Sequence, residues 1–376
     1  MVEAELARGM AGVIADRSAI SSIDGAKGEL RYRGYRIEEL VARASFLEVV
    51  GLVLDGERPD GAGVAALEAA LRERALPAAA LEVLGRLPRD THPMTALQVV
   101  LPLLDGPADK ASVRLAARAA QRARLLALAA KLPTALAAWL RLREGKAPLG
   151  PDPALAFHAD LLRMHAGAAP VAADVAVLDA LQVMLLEHGF NASTFAGRTV
   201  ASTLAPLSVT LSAAVGALAG PLHGGADEAA WRMALAVGSP DAAPAWVDAA
   251  LARGEKLPGL GHREYKVVDP RAVVLRPMAL ELGRRAGLGT AVETLVAIDE
   301  HAAARFAAKG KAVRANVEFY KGAVLASLSL PPDAFTAMFV LARVFGWGAH
   351  VLELWDDHAL YRPQALYSGV APRVWG

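Results

Sequence analysis

Residues 36–55 read RIEELVARASFLEVVGLVLD, and this stretch sets the fold class of the whole chain. Its apolar side chains recur at three- and four-residue spacing, which is the period of one face of an α-helix. Gly56 follows, and glycine is typical of a helix end. The stretch therefore predicts a helix that ends near residue 55. Because the same spacing dominates the rest of the chain, the predicted fold class is all-α.

The remaining helical segments follow from the same pattern. They are predicted over 63–75, 112–144, 172–188, 207–219, 227–237, 270–286, 290–309 and 332–356. The segment 112–144 is expected to be interrupted near Pro133, since proline lacks the N–H that a helix interior needs. The segment 18–33 (SAISSIDGAKGELRYR) is the exception to the helical pattern, and its DGAKG turn predicts a small hairpin. No disordered linker divides the chain, so a second domain would be inserted into the first.

Composition excludes several classes of protein. The chain has 376 residues, of which 54% are hydrophobic, enough for two domains with a large core. Lys and Arg number 40 against 39 Asp and Glu, which excludes a basic nucleic-acid-binding protein. The absence of cysteine excludes disulfides, cysteine-type zinc sites and a cysteine nucleophile.

Two segments bear on membranes and targeting. The N-terminal MVEAELARGMAGVIADR has no uninterrupted apolar core, so we expect no signal peptide and a cytoplasmic protein. The stretch 199–222 has no charged residue and is long enough to span a bilayer. It also contains Pro206 and Pro221 and lacks aromatic and basic anchors, which favours a buried helix of a soluble protein over a membrane span.

Four polar, glycine-rich segments interrupt the apolar background, and each holds a histidine, an arginine or a carboxylate. They are EHGFNASTFAGR (187–198), GPLHGGADE (220–228), LPGLGHREYKVVDPR (257–271) and RANVEFYKG (314–322). In the first, His188 ends an apolar helix, where a histidine either caps carbonyls or acts in a site. In the second, His223 precedes a helix start, whose N–H groups favour neutral imidazole.

The third and fourth segments add a cation and a carboxylate. A glycine loop presents His262, and Asp269-Pro270 predicts a helix start that puts Arg271 in the first turn. The helix dipole disfavours a cation there, so Arg271 indicates an anionic ligand, the alternative being a solvated side chain. Glu318 lies next to aromatic residues, where a carboxyl of raised pKa suits general-base work, unless it is simply exposed.

Taken together, three histidines and one carboxylate can polarise carbonyls and remove a proton. The sequence has no HExxH pattern, so no metal is expected. It also lacks GxGxxG and GxxxxGK[ST], which disfavours a nucleotide cofactor of either kind.

The four segments, in this order, resemble the citrate synthase family. The resemblance begins with SSIDGAKGELRYRGYRIEEL and includes FNAST, GPLHGG, GHREYKVVDPRA, ANVEFYKG and RVFGWGAH. It covers almost the whole chain and is closest to the compact bacterial and archaeal type. It implies an all-α homodimer with a large domain over 1–223 and 324–376. A smaller domain over 224–323 would close over the substrate.

The resemblance also implies a reaction, the condensation of acetyl-CoA with oxaloacetate followed by hydrolysis of citryl-CoA, with no cofactor. His223 would hydrogen-bond the thioester carbonyl, His262 would polarise the ketone and Glu318 would take the methyl proton. The other roles are implied in the same way. Oxaloacetate would be bound by His188, Arg271, Arg343 and, from the neighbouring subunit, Arg362, and CoA by Pro258, Gly259, Leu260 and Gly261.

Three positions depart from the family pattern. Glu318 replaces the aspartate of NVDFYSG, Lys321 replaces its serine, and Asp227 replaces the asparagine of GGAN. Lys321 is expected to pair with Glu318 and lower its basicity, or to point into solvent if Glu318 is the working base. Asp227 is expected to favour imidazolium at His223. Two alternatives stay open. One is a 2-methylcitrate synthase using propionyl-CoA, which the motifs do not separate from a citrate synthase, and the other is a paralogue with an assembly or regulatory role, which Glu318 and Lys321 favour.

Overall fold

The structure is a computed structural model that describes residues 7–10, 12–105 and 117–374. Outside this part lie the first residues of the segment considered for a signal peptide and residues 112–116 of the helix predicted over 112–144. The described residues form sixteen α-helices and one small sheet, so the all-α prediction is confirmed. The helices are α1 (Ile37–Arg43), α2 (Phe46–Asp55), α3 (Gly61–Ala70), α4 (Ala78–Arg86), α5 (Pro93–Val100), α6 (Arg118–Arg143), α7 (Phe157–Ala166), α8 (Ala172–Leu185), α9 (Ala192–Ala201), α10 (Leu207–Leu218), α11 (Ala226–Val237), α12 (Ala243–Ala252), α13 (Pro270–Arg285), α14 (Gly289–Ala307), α15 (Val317–Ser327) and α16 (Phe335–Asp356).

The predicted helix over 36–55 is in fact two helices. Ser45 separates them because its hydroxyl accepts from the Glu48 amide while the Glu48 carboxylate accepts from the Ser45 amide. This reciprocal capping box starts α2 at Phe46. The end was predicted correctly, since Gly56 adopts a left-handed conformation with φ of 92°.

The predicted break at Pro133 is wrong. Helix α6 runs continuously from Arg118 to Arg143 with Pro133 inside it. The ring removes one backbone hydrogen bond, but Leu132, Pro133 and Thr134 are all buried, and tertiary packing outweighs that local loss.

The predicted hairpin is confirmed and gains a third strand. Strands β1 (Ser21–Asp24) and β2 (Glu29–Tyr32) pair antiparallel, and β2 also pairs with the short β3 (Tyr35–Arg36). The β1–β2 turn lies against the segment that follows His262, because Lys266 donates its backbone N–H to the Gly25 carbonyl at 2.8 Å. The hairpin therefore supports one wall of the site described below.

The core is built around α16, whose residues are almost all buried and which packs on α2, α6, α8 and α9. By length and apolar composition, α6 and the segment Pro332–Asp356 could each cross a membrane. Within the protein, 78% and 100% of their most apolar windows are buried, as in core helices. The uncharged stretch 199–222 contains the last three residues of α9 and the whole of α10, with a break between them, and is not one continuous helix.

A second group of helices packs mainly on itself. Helix α15 lies against α11 and α13, and α14 packs on α11, α12 and α13. Six helices had no predicted counterpart: α4, α5, α7, α9, α12 and α15. Two of these, α9 and α15, begin at the asparagine caps Asn191 and Asn316 and carry polar residues of the site, which weakens their apolar periodicity.

Candidate active site

The structure brings His188 and His262 together, as the sequence predicted. Their ring centroids lie 5.3 Å apart, and Tyr265 contacts both rings. The Nε2 atom of His188 lies 3.0 Å from the Tyr265 hydroxyl. Burial, followed by the charge of Arg271, lowers the pKa of His188 well below its ordinary value, so this ring is neutral.

The proton of His262 can be assigned from its neighbours. The backbone N–H of Glu264 donates to His262 Nδ1 at 3.0 Å, and that of Tyr265 lies 3.4 Å away. Burial and then the charge of Arg271 lower the pKa of His262 to about 4. A neutral ring whose Nδ1 accepts a hydrogen bond carries its proton on Nε2. His262 therefore presents an N–H donor on the side away from its own loop.

Arg271 is held in the first turn of α13 by the residue that caps the same helix. Asp269 accepts from Arg271 Nε at 3.0 Å and Nη2 at 2.8 Å, and both side chains are buried. The alternative of a solvated arginine is therefore wrong, and Asp269 offsets the unfavourable position of the cation on the helix dipole. The Val317 amide also donates to Asp269, which ties α13 to the start of α15.

Arg343 is a buried cation that forms no ion pair with any residue the structure describes. It lies in α16, with 2% of its surface exposed, and donates from Nε to the Leu185 carbonyl at 2.7 Å. Its guanidinium lies over the Phe339 ring at 4.5 Å. Among the described residues no carboxylate lies within ion-pair distance of it, and the nearby Glu187 pairs with His350 instead. Burial lowers the pKa of Arg343 to about 10, which an anionic ligand would reverse.

His223 follows α10 in a tight turn and is neutral as well. The Ser193 backbone N–H donates to its Nε2 at 3.3 Å, and the Ser193 hydroxyl lies 2.9 Å from the same nitrogen. Because a backbone N–H can only donate, Nε2 is assigned as the acceptor and Nδ1 as the nitrogen that carries the proton. Burial, then the charges of Arg343 and Lys321, lower the pKa of His223 to about 4. The expectation that Asp227 favours imidazolium here is wrong, because Asp227 is paired with Lys321 at 2.8 Å.

Glu318 begins α15, where Asn316 caps the helix and accepts from the Glu318 amide. Its Oε2 atom lies 3.1 Å from Lys321 Nζ, so the predicted pair forms. The alternative that Lys321 points into solvent is wrong, since its side chain is fully buried. Lys321 lowers the pKa of Glu318, as predicted, but burial raises it by more, so the pKa of Glu318 lies above its ordinary value.

The loop 258–261 is joined to the segment before Glu318. The Gly261 amide donates to the Arg314 carbonyl, and the Asn316 amide donates to the Gly259 carbonyl. Gly259 has φ of 73° and packs against Phe319, where any side chain would collide. The loop borders a cavity of about 310 Å³, lined among others by Gly261, Lys266, Lys311 and Arg314.

Arg362, unlike the other predicted site residues, has no contact in its own chain that ties it to the histidines, Arg271, Arg343 or Glu318 among the residues that the structure describes. It lies in the exposed segment after α16, where its Nη1 donates to the neighbouring Pro363 carbonyl. The segment also exposes apolar side chains, with Leu366 78% and Tyr367 76% exposed.

Three supporting residues were not predicted as parts of the site. They are Ser193, which contacts His223, Tyr265, which contacts both other histidines, and Asp269, which was predicted only as a helix cap. Tyr265 and Asp269 both lie in the quoted segment GHREYKVVDPR, where their proximity to His262 and Arg271 was the available signal. Among the residues that the structure describes, no three His, Asp or Glu side chains could together hold a metal.

Comparison with known proteins gives a consistent result. A sequence profile described as "Citrate synthase, C-terminal domain" matches residues 9–364. A citrate synthase of Synechocystis is 37% identical, covering 96% of this chain and 90% of that protein. A 2-methylcitrate synthase of Mycobacterium tuberculosis is 36% identical, covering 98% and 92%. The citrate synthase of Thermoplasma acidophilum, solved with carboxymethyl coenzyme A and oxaloacetate, superposes with a TM-score of 0.90 at 26% identity, covering 99% and 98%.

Proposed function

This chain belongs to the citrate synthase family, and we propose that it uses Glu318 as the base, with His223 and His262 as neutral hydrogen-bond donors, to condense acetyl-CoA with oxaloacetate. As a family member it is an enzyme that transfers an acyl group in a condensation. Arg343 carries the proposal, because a buried guanidinium without a carboxylate partner in the described residues calls for an anionic ligand.

Oxaloacetate supplies the two carboxylates that this side of the site lacks. Arg343 faces one, and Arg271 can offer Nη1, which has no partner among the described residues, to an incoming carboxylate. The His262 Nε2–H then donates to the ketone oxygen, and His188 hydrogen-bonds the bound acid. Since burial keeps both rings neutral, they add no further charge to a site that already holds two guanidinium groups.

The chemistry at the other substrate is a proton transfer followed by carbon–carbon bond formation. Glu318 takes a proton from the acetyl methyl group, and its raised pKa brings it closer to the operating pH than an ordinary carboxylate. The His223 Nδ1–H donates to the thioester oxygen, where negative charge develops in the enol form. The enol carbon attacks the ketone, and hydrolysis of the thioester releases CoA.

The loop 258–261 and the cavity beside it are proposed to bind CoA. Lys266, Lys311 and Arg314 give that cavity a basic wall, which suits a phosphate-bearing substrate. The fold is proposed to divide into a large domain over 1–223 and 324–376 and a smaller one over 224–323. The mutual packing of α11, α13, α14 and α15 supports this division.

We propose further that two copies form a homodimer in which Arg362 completes the neighbour's site. In its own chain Arg362 lies in an exposed segment and bonds the neighbouring Pro363, and the exposed apolar side chains of the same segment also support this. The apolar side chains of Val99, Val209 and Leu222 are also exposed, on or next to α5 and α10.

The activity is tested by release of CoA thiol with oxaloacetate and either acetyl-CoA or propionyl-CoA. We expect faster release with acetyl-CoA and none without oxaloacetate. A preference for propionyl-CoA would favour the 2-methylcitrate synthase, and no release with either would favour the regulatory paralogue. Glu318→Gln should abolish most of this release. Its matched control is Glu228→Gln, because Glu228 lies in the first turn of the neighbouring α11 and pairs with Arg232 rather than with a site residue.

The shared site is tested by mixing inactive variants. An Arg362→Ala chain paired with a His262→Ala chain has one site with both defects and one with neither. Purified heterodimers should therefore regain about half of the wild-type rate if Arg362 crosses the interface. Full inactivity of verified heterodimers would refute the exchange.

A further inference from the structure

The three positions that depart from the family pattern form one buried contact. Lys321 Nζ lies 2.8 Å from Asp227 Oδ2 and 3.1 Å from Glu318 Oε2. The side chains of Asp227 and Lys321 are fully buried, and Glu318 is 14% exposed. One ammonium is thus placed between two carboxylates. Glu318 and Lys321 are neighbours on α15, whereas Asp227 comes from α11 and is far from them in the sequence.

Asp227 and Lys321 are each held by contacts that do not involve Glu318. The other carboxylate oxygen of Asp227 accepts from the Glu228 amide at 2.8 Å and lies 3.4 Å from the Thr336 hydroxyl. Lys321 Nζ lies over the Phe339 ring at 4.1 Å. The helices come close because residue 322 is glycine, and a Cβ there would lie 2.6 Å from the Asp227 carbonyl oxygen. The ammonium therefore stays in place when Glu318 changes protonation.

A lysine paired with Glu318 alone would hold that carboxylate in its charged form, because a buried ion pair opposes the neutralisation of either member. Proton transfer from a substrate requires the opposite, a carboxylate that becomes neutral without leaving an uncompensated buried cation. Asp227 supplies this second partner, at the shorter of the two distances.

We propose that Asp227 is a positioning residue that acts through Lys321, taking up the ammonium charge so that Glu318 can exchange a proton. When Glu318 is charged, the three groups carry one net negative charge, and when it takes a proton they become neutral. The proposal rests on Glu318 being the base, as proposed above.

The other charges that face this contact come from three elements. Arg271 and its partner Asp269 belong to the start of α13, Arg343 lies in α16, and His223 lies in the turn before α11. None of them changes in the variants described next. The effects of Asp227 and Lys321 on the pKa of Glu318 have opposite signs, Asp227 raising it and Lys321 lowering it. Replacing each residue in turn should therefore move the titration of Glu318 in opposite directions.

The experiment follows the carbonyl stretching band of protonated Glu318 by infrared difference titration, the band being the one that Glu318→Gln removes. In Asp227→Asn the band should appear only at lower pH than in the wild type, and in Lys321→Met already at higher pH. The variant carrying both changes should titrate near the wild type. In parallel, kcat of Asp227→Asn should fall on the order of tenfold, with the KM for oxaloacetate unchanged.

Titration at the wild-type pH in Asp227→Asn would overturn the proposal. If Lys321→Met does not fold, Asp227→Asn decides alone. Asp160→Asn is the matched control, since Asp160 forms another buried ion pair, with Arg74 at 3.0 Å, and should leave the Glu318 band in place. The infrared titration does not depend on turnover, so it remains readable if the wild type releases no CoA, in which case the proposed function fails by itself.

Discussion

The two sides of the active site balance their charges in different ways. The ketone side is the part proposed to bind oxaloacetate, with His188, His262, Arg271 and Arg343. Here Arg271 is paired with Asp269, which caps the same helix, and Arg343 has no carboxylate partner among the described residues. An anionic substrate is the partner that we propose for it. On the base side, Lys321 pairs with both Glu318 and Asp227, so each of these charges has a partner within the chain. The ketone side is thus suited to binding a negatively charged ligand, and the base side to transferring a proton.

The same contrast explains where the chain departs from its family. The ketone side keeps the histidines and arginines that the family pattern contains, each of which is proposed to contact oxaloacetate. The base side changes three residues, and one of them, Lys321, contacts the other two. They are best understood as one coupled replacement: a longer carboxylate, an ammonium that holds it, and a second carboxylate that balances the ammonium.

The largest effect is expected from removing the ammonium. Lys321→Met leaves two buried carboxylates facing each other, which should lower the free energy of unfolding by about 3–5 kcal/mol at neutral pH. Burial already raises the pKa of Glu318, and without the ammonium it would rise further above its unfolded-state value. The loss should therefore be absent below the unfolded-state pKa and grow as pH rises through the folded-state pKa.

Urea unfolding across a pH series measures this loss. Adding Asp227→Asn to Lys321→Met should recover part of it, because one of the two carboxylates is gone. Equal stability of Lys321→Met and the wild type at neutral pH would contradict the description of the base side as a coupled set of charges.

A somewhat smaller effect is expected on the ketone side, where one neutral donor is removed. His262→Ala should slow CoA release about 10²–10³-fold, the usual effect of losing a donor aimed at a developing oxyanion. His262 lies on a loop whose backbone bonds persist without the ring, so the fold should survive. His301→Ala, which removes a surface histidine paired with Asp248, is the control. Global unfolding of His262→Ala by circular dichroism would assign the residue a structural role instead.

The smallest effect concerns the length of the base. Glu318→Asp withdraws the carboxylate by roughly an ångström, which can slow the reaction about 10²-fold. If the three positions are coupled, the variant that also carries Lys321→Ser and Asp227→Asn should be faster than Glu318→Asp alone. Steady-state kinetics compares the two. A Glu318→Asp rate equal to or above the wild type would mean that the site keeps the family geometry.

Much of this site could be predicted from the sequence, and the reason lies in local chemistry. Helix periodicity, the Asp269-Pro270 start and the glycine loop before His262 depend on neighbouring residues, and all of them are observed. The second partner of Lys321 could not be predicted, since Asp227 reaches it only through the packing of α15 on α11. For the same reason the predicted break at Pro133 failed, because the buried surroundings of α6 decide that helix.

The most direct measurement is oxaloacetate-dependent CoA release by Glu318→Gln, with oxaloacetate affinity measured by calorimetry on the same protein. The amide keeps the size of the side chain but cannot take a proton. Oxaloacetate should bind with wild-type affinity, because the arginines are untouched, and CoA release should fall about 10²–10⁴-fold. Wild-type turnover in Glu318→Gln would show that another group removes the methyl proton.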